Sequence, residues 1–344
     1  MLLDKMETII PTKLVGPITL KGEMTGQFMV PLATYEIPLW ASVKRGAKAT
    51  KESGINVTLI KELMTRSILC QGKNACHLTS ILSNLNKYRS VMENLVASTS
   101  RFLRLESWHG EIVGNLLFLR FAFHTDGAAG HNMVTKGAQA IQNWLLNHFS
   151  LAYVSISGNY CVDKKNSAIN GILGRGRSII AEACITKETC HKILKITPEQ
   201  LVALNNKKNL VGSILSGGVR SANAHYANML LAFYLAMGQD GANVVEGSQG
   251  ITYVELCDDK LYFSVNLPNI IVGSIGNGKE LPHVKKHFDL LNCFNENALH
   301  NSRCLAYLAA AIVLCGELSL LAAQVTPGEL IRSHLLLERK KINP

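Results

Sequence analysis

The stretch FLRLESWHGEIVGNLLFLRFAFHT, residues 102–125, decides how this chain folds. Its two halves, Phe102–Val113 and Leu116–Thr125, alternate apolar and polar residues and are parted by Gly114-Asn115. Alternation sends successive side chains to opposite faces of an extended strand, and a short Gly-containing turn reverses the chain, so the stretch predicts a β-hairpin. Before it, His77–Ala97 sets Ile81, Leu82, Leu85, Tyr88, Met92 and Leu95 on one side at helical spacing, and Ser67–Cys70 reads as a strand. After it, Asn132–Phe149 is again helical and Leu151–Ile156 is a strand. The order β-α-β-β-α-β is the split pattern of a ferredoxin-like domain. It predicts an α+β protein, with a small domain at 67–156 inserted into a larger, helical-core domain made of 1–66 and 157–344.

In the larger part, residues 13–34 read as short strands broken by Gly16, Pro17, Gly22 and Gly26. A mixed pattern follows, with helix expected near Lys61–Thr65. Beyond the insertion the reading is a strand at Ile179–Ile185 and helices near Lys187–Lys195, Pro198–Asn205 and Ala222–Met237. Ile251–Leu256 and Leu261–Leu267 form a hairpin around Asp258-Asp259. A long helix runs over Ser302–Gln324, and Pro327 opens a last one.

With 344 residues, 47% of them hydrophobic and only 17% charged, the chain is long and apolar enough for this two-part plan and is not disordered. The formal net charge of +10 fits a solvated basic surface or a small polyanionic ligand. Nucleic acid is not the expected partner, because the Lys and Arg residues are spread along the chain and not interleaved with aromatics. The nine cysteines form no CxxC pair, and Cys190-His191 lacks further ligands, so no metal is expected. They read as mostly buried thiols in a reducing compartment. The N-terminus carries Asp4 and Glu7 where a signal peptide is apolar, and the apolar run Cys304–Gly316 is short of the ~20 residues of a membrane span. A cytoplasmic protein without membrane contact is the expectation.

No GxGxxG follows a strand: Gly171-x-x-Gly174-x-Gly176 and Gly127-x-x-Gly130 have the wrong spacing. Gly273-Ser-Ile-Gly-Asn-Gly278-Lys279 approaches a phosphate-binding loop, but Glu280 stands where Ser or Thr would hold Mg²⁺ and Pro282 intrudes on the first helical turn. Any dinucleotide must therefore bind in a non-Rossmann manner.

Immediately after the inserted block comes Ser157-Gly-Asn-Tyr-Cys-Val-Asp163-Lys164-Lys165, which turns at a strand's end and sets one carboxylate beside two ammonium groups. Such a cluster can polarise a carbonyl and hold a carboxylate, or be a charged surface turn. Together with Ala168-Ile-Asn170 and Gly174-Arg-Gly176, the segment resembles the central signature of class I hydroxymethylglutaryl-CoA (HMG-CoA) reductases. The resemblance continues through Met64-Thr-Arg66, Ser98-Thr-Ser-Arg-Phe102, Asn209-Leu-Val-Gly-Ser213, Asn223-Ala-His225, Gly238-Gln-Asp240, Gly316-Glu-Leu-Ser319 and Ser333-His334, covering nearly the whole chain in one order.

The resemblance implies NADPH-dependent reduction of HMG-CoA to mevalonate by a homodimer, with the ferredoxin-like domain holding NADP(H). By position, Lys164 would stabilise the oxyanion, Glu36 would donate a proton, Asp240 would tune both, and His334 would protonate the CoA thiolate. Arg66, Ser157, Asp163, Lys165 and Lys208 would hold the substrate carboxylate, with His225 and Asn228 lining the site. Ser42, Arg45 and Lys195 would meet the CoA phosphates. Ser100, Arg101, Phe102, the loop Asp126–Asn132 (Asp126, Gly127, Ala128, Gly130 and Asn132), Gly276 and Arg339 would meet the cofactor.

The chain departs from the pattern in places. Ile37-Pro38 follows Glu36 where the family has glycine, Asp126-Gly127 inverts the usual Gly-Asp, and His131 replaces an apolar residue. The glycine triplet of the later turn has become Gly276-Asn277-Gly278, Lys44 replaces an asparagine, and Lys340 stands where some relatives carry a regulatory serine. These changes admit a second reading, an impaired or altered-substrate acyl-CoA-binding paralogue on the same scaffold.

Overall fold

One 17-residue strand, β3 (Ile55–Gln71), organises the molecule, because two different sheets pair with it. The structure, a computed structural model, describes residues 8–338, without the side chains of Ser333, His334 and 336–338. Upstream of β3 lie β1 (Thr12–Gly22), β2 (Gly26–Ala33) and α1 (Pro38–Ala49). Then follow α2 (Ala75–Asn84), α3 (Arg89–Thr99), β4 (Arg104–Val113), β5 (Leu116–His124), α4 (His131–Phe149) and β6 (Ala152–Ser155). The remainder comprises α5 (Ala168–Leu173), β7 (Gly176–Thr186), α6 (Lys187–Thr189), α7 (Pro198–Leu204), α8 (Ser213–Leu215), α9 (Tyr226–Ala236), α10 (Val244–Gly247), β8 (Ile251–Cys257), β9 (Lys260–Ile270), α11 (Pro282–Leu291), α12 (Ala298–Val325) and α13 (Glu329–Glu338).

Residues Asn56–Leu63 of β3 pair antiparallel with β7, and Met64–Gln71 pair antiparallel with β5. The strand runs unbroken through Arg66-Ser67, where the sequence reading sets a boundary. The larger sheet has the order β2-β1-β3-β7-β9-β8, with β1 and β3 parallel. The smaller sheet is β6-β3-β5-β4, antiparallel throughout. The single helix expected over His77–Ala97 is broken by a 3-10 turn at Leu85–Tyr88 into α2 and α3, which together fill the first helical place of the β-α-β-β-α-β order, and α4 fills the second. The hairpin Arg104–Val113/Leu116–His124 forms as its alternation predicts.

Each sheet has its own core. Ile68, Leu117, Leu119, Phe121 and Phe123 pack with Val134 and Ile141 of α4 in the smaller unit. In the larger unit α12 is central, packing on α1, α9, β7 and β9. Its 28 residues begin at the N-cap Asn297, whose side chain accepts from His300 N at 3.1 Å. By length and composition α12 could cross a membrane, so the apolar run is longer than Cys304–Gly316 suggested, yet 94% of its most apolar window is buried inside the fold.

Several local expectations are corrected. Lys61–Thr65 is strand, not helix, because pairing with β7 and β5 on both flanks overrides local preference. Pro38–Ala49 is a helix that the mixed pattern concealed, opened by a proline at its first turn. Residues 222–225 do not join α9: Ala222 bridges Ile251, and Glu317 takes the backbone N–H groups of Ala224 and His225. Helix α11 is an element that the sequence reading passed over. Five cysteines are buried, whereas Cys76, Cys184 and Cys257 are exposed.

Candidate active site

The segment Ile156–Ser167, between β6 and α5, is held in a demanding conformation. Asn159, Val162 and Lys164 all have positive φ, 55°, 41° and 57°. For β-branched Val162 this conformation is strained and must be imposed by its surroundings. Ser67 Oγ accepts from Gly158 N (3.1 Å) and Tyr160 N (3.2 Å), and Asn170 Nδ2 donates to Val162 O (2.8 Å). Lys164 N donates to Glu246 Oε1 (3.1 Å).

So placed, Lys164 Nζ reaches Asp240 Oδ2 at 2.7 Å. Asp240 caps the short turn Gly241–Asn243, its Oδ1 accepting from Ala242 N at 3.0 Å. The carboxylate raises the Lys164 pKa by hydrogen bond, against a smaller effect of burial. Burial pushes Asp240 up, but the Lys164 ammonium and the Ala242 N–H together bring it below its ordinary value. Both side chains are about half exposed, at 42% and 48%, so the pair is open to solvent and to a ligand.

Beneath it lies a buried charge network. Arg175 and Glu246 are both 0% exposed and pair at 2.7 Å. Arg175 also reaches Asp163 at 3.0 Å, and His131 Nε2 stands 3.6 Å from the same carboxylate. Burial pushes Asp163 up; His131, Arg175 and Arg66 outweigh it and hold the carboxyl well below the usual range. Asn243 Nδ2 donates to Glu246 (3.0 Å) and touches His131 (3.4 Å).

Lys279 completes this side. Its Nζ donates to the carbonyls of Gly238 and Asn277, tying the Gly276 turn to the turn that carries Asp240. The two turns touch so closely that a Cβ on Gly238 would lie 2.6 Å from Gly278 O. Burial lowers Lys279 to about 8, against the pull of Glu280 and Asp240. The same turn supports the loop before α4: Ser274 N donates to Gly127 O (2.9 Å), and Ala128 bridges Ile275. Buried Arg177 donates to Asp126 O (3.1 Å), Val272 O (2.7 Å) and Glu62 (2.7 Å). A Cβ on Gly127 would collide with Ala298, which explains why the side chain of this Asp-Gly pair sits at 126, where φ is 55°.

A second cluster lies on α1, α9 and α12. Glu36 Oε2 accepts from Asn228 Nδ2 (2.9 Å), and His225 Nδ1 lies 3.5 Å from Asn228. His225 Nε2 is 3.0 Å from Gly316 O, a pure acceptor, so that nitrogen carries the proton. Arg45 Nε donates to Ser319 Oγ (2.9 Å), and Glu36, Ser42, Arg45, His225 and Ser319 line one cleft. Ile37-Pro38 leaves Glu36 pointing into that cleft, with Glu36 N bonded to Thr34 Oγ1 (3.0 Å).

Among the described residues, then, Lys164, Asp240 and Asp163 meet, and Glu36, His225, Asn228, Ser42 and Arg45 meet, but no contact joins Glu36 to Lys164 or Asp240. Arg66 acts on Asp163 through its charge. Lys165 bonds only its own loop, Lys208 bonds Asn209, Ser157 opens the loop with its N–H on Ser155 Oγ, and Lys195 is exposed beyond the turn that packs on α1. Phe102 is 41% exposed with the Arg101 guanidinium 4.6 Å from its ring, and Ser100 Oγ accepts from Phe102 N (3.3 Å). Gly130 is the N-cap of α4 and Asn132 lies in its first turn. The His334 side chain and Arg339 lie outside the described residues. Arg175, Glu246, Asn243, Lys279 and Glu317 contact the candidate residues or the loops that carry them, and lie outside the set that the sequence predicts. Arg175 and Glu317 lie within the motifs Gly174-Arg-Gly176 and Gly316-Glu-Leu-Ser319, whereas Lys279 has no sequence signal beyond the incomplete phosphate loop.

A protein-family model described as hydroxymethylglutaryl-coenzyme A reductase matches residues 7–339. The 3-hydroxy-3-methylglutaryl-coenzyme A reductase 2 of Dictyostelium discoideum is 41% identical over 345 residues, spanning 97% of this chain and 65% of that protein. The reductase of Aeropyrum pernix is 39% identical over 340 residues, 96% of this chain and 79% of the relative. The chain thus spans between about two thirds and four fifths of these relatives. Among solved structures, a class II 3-hydroxy-3-methylglutaryl-CoA reductase of Streptococcus pneumoniae bound to NADPH superposes with a TM-score of 0.75 at 19% identity. The match covers 94% of this chain and 77% of that one, and it shows the fold.

Proposed function

The chain belongs to the hydroxymethylglutaryl-coenzyme A reductase family, and on that premise we propose that it reduces HMG-CoA to mevalonate and free CoA, consuming two NADPH and two protons. The observation that carries the proposal is the Lys164–Asp240 pair, half exposed at the end of a strained loop beside the Asp126–Asn132 segment. The cofactor supplies the two hydrides. Lys164, kept charged by Asp240, stabilises the oxygen that becomes negative as the carbonyl is reduced. Glu36, oriented by Asn228, delivers a proton in the second reduction, and His334 returns one to the departing thiolate.

Arg66, Lys165 and Lys208 are assigned to the substrate carboxylate, with Asp163 and Ser157 shaping the pocket. We assign Ser42, Arg45 and Lys195 to CoA, placing it along the α1 cleft. Residues 1–66 and 157–344 form the substrate unit and 67–156 the cofactor unit. The Arg101–Phe102 stack offers a flat apolar face and a cation, which fit an adenine and a phosphate, and the backbone of 126–130 fits the nicotinamide end. The partition of Glu36 and Lys164 into separate clusters supports an assembly of two copies, one completing the other's site.

The test is turnover. Purified protein given HMG-CoA should oxidise NADPH and release CoA thiol in a two-to-one ratio. Oxidation of neither NADPH nor NADH with this thioester sinks the reading.

A further inference from the structure

His131 takes the place of an apolar residue in the family pattern, and its imidazole meets charged and polar groups from the far side of the site. It is the first residue of α4, the helix whose Val134 and Ile141 pack in the smaller core. Its Nε2 lies between two groups of opposite character. On one side Asn243 Nδ2, a donor, stands 3.4 Å away while also donating to Glu246 Oε1 at 3.0 Å. On the other side Asp163 Oδ1, an acceptor, stands 3.6 Å away. That oxygen is buried and, although Arg175 is 3.0 Å from it, accepts no hydrogen bond from any described residue. An unprotonated Nε2 accepts from Asn243; a protonated one donates to the orphaned carboxylate oxygen. A movement of under about 1 Å brings Nε2 within hydrogen-bond distance of Asp163.

The charged groups around the ring come from several elements. Asp163 and Lys164 ride on the loop between β6 and α5, Asp240 on the turn after α9, and Glu246 reaches the ring through Asn243. Arg175 and Arg66 bear on the same Asp163. Burial raises both Asp163 and Asp240, and His131 is among the groups that bring each of them down. On the ring's own element, the positive end of the α4 dipole opposes a proton, and the two carboxylates favour one. The side chain is 23% exposed, enough to exchange that proton with solvent.

Resting on the reductase reading above, we propose that His131 is a further positioning residue for the substrate: protonated, its Nε2–H binds Asp163, fastens the head of α4 to the loop that carries Lys164, and offsets carboxylate charge beside the pocket for the substrate's own carboxylate. Imidazole changes charge between about pH 5 and 8, so the contact is made and released near neutrality. When the proton leaves, Nε2 turns to Asn243 and Asp163 loses one of its cations. A carboxylate ligand then meets more repulsion. By linkage, binding of that ligand favours the proton on His131.

The affinities of the full chain for HMG-CoA and for CoA, which lacks the carboxylate, are measured by calorimetry from about pH 5.5 to about pH 8. Their ratio cancels titration of the phosphates that both ligands carry. In wild type the preference for HMG-CoA should fall roughly three- to tenfold across the interval. In His131→Met and His131→Gln it should stay flat, and in turnover the loss should appear in KM for HMG-CoA and not in kcat. The same slope in all three proteins overturns the proposal and leaves the reductase reading standing; no binding of HMG-CoA at any pH sinks both. Should neither variant fold, wild type decides through heats recorded in buffers of different ionisation enthalpy. Near neutral pH, HMG-CoA should bind with more proton uptake than CoA, and equal uptake rejects the proposal.

Discussion

Lys164 and Asp240 sit on loops far apart in the chain, yet their charged atoms are 2.7 Å apart and each shifts the other's protonation. The Lys164 pKa is raised above its ordinary 10.5 and that of Asp240 lowered below its ordinary 3.8. The lysine's contribution to stability is complete below its unfolded value and lost as pH rises through the folded one. The carboxylate's is complete above its unfolded value and lost as pH falls through the folded one. Lys164→Ala should leave a folded protein whose kcat is down roughly 10²–10³-fold. Asp240→Asn should bring the Lys164 titration downward, readable by NMR of labelled lysine. Wild-type turnover in the first variant would remove Lys164 from the mechanism.

The buried Arg175–Glu246 pair supports the loop that carries Lys164. Removing one partner strands a charge in the interior, so Glu246→Gln or Arg175→Met should cost about 3–5 kcal/mol by denaturant titration. A double replacement should cost less than the sum of the singles, since neither charge is then left alone. Additive losses would mean that the two side chains act independently.

Lys279 is lowered to about 8 by burial. A lysine with a depressed folded pKa is a base that the unfolded chain protonates more readily, so the wild type should gain stability as pH rises from about 8 toward 10.5. Lys279→Met should lose that rise, measured by thermal melts across the interval. Because Lys279 Nζ holds Gly238 O, the same variant should also lower kcat through misplacement of Asp240, and Lys279→Arg should restore part of it. An unchanged pH slope would show that the amine does not titrate in the folded protein.

Gly127 packs directly on Ala298. Gly127→Ala should push the loop off α12, costing roughly 1–3 kcal/mol of stability and raising the KM for NADPH several-fold with little change in the KM for HMG-CoA. The steady-state kinetics of both substrates check this; an equal rise in both KM values would argue against a cofactor-loop role.

Where residues report their surroundings through periodicity, the sequence was legible. The alternation over 102–125 and the helical spacing of 77–97 and 132–149 gave the β-α-β-β-α-β unit, because a strand or helix with one buried face must repeat at its own period. It misread β3, whose residues 61–65 lie between two strands of different sheets and show no single exposed face. It missed α11, and it shortened α12 because a helix apolar on all sides has no stripe to detect.

The site divides along the same line. The segment Ser157–Lys165 and its companion motifs determined by themselves the family, the candidate residues and their order along the chain. Only the tertiary structure decided that Lys164 meets Asp240 and that Asp163 is held by Arg175 and His131. It alone set Glu246 beneath both, Lys279 across the turn that carries Asp240, and Glu36 with Asn228. These are contacts between loops and isolated buried charges. Their positions follow from how two sheets share β3 and enclose α12, and no short-range pattern encodes that arrangement.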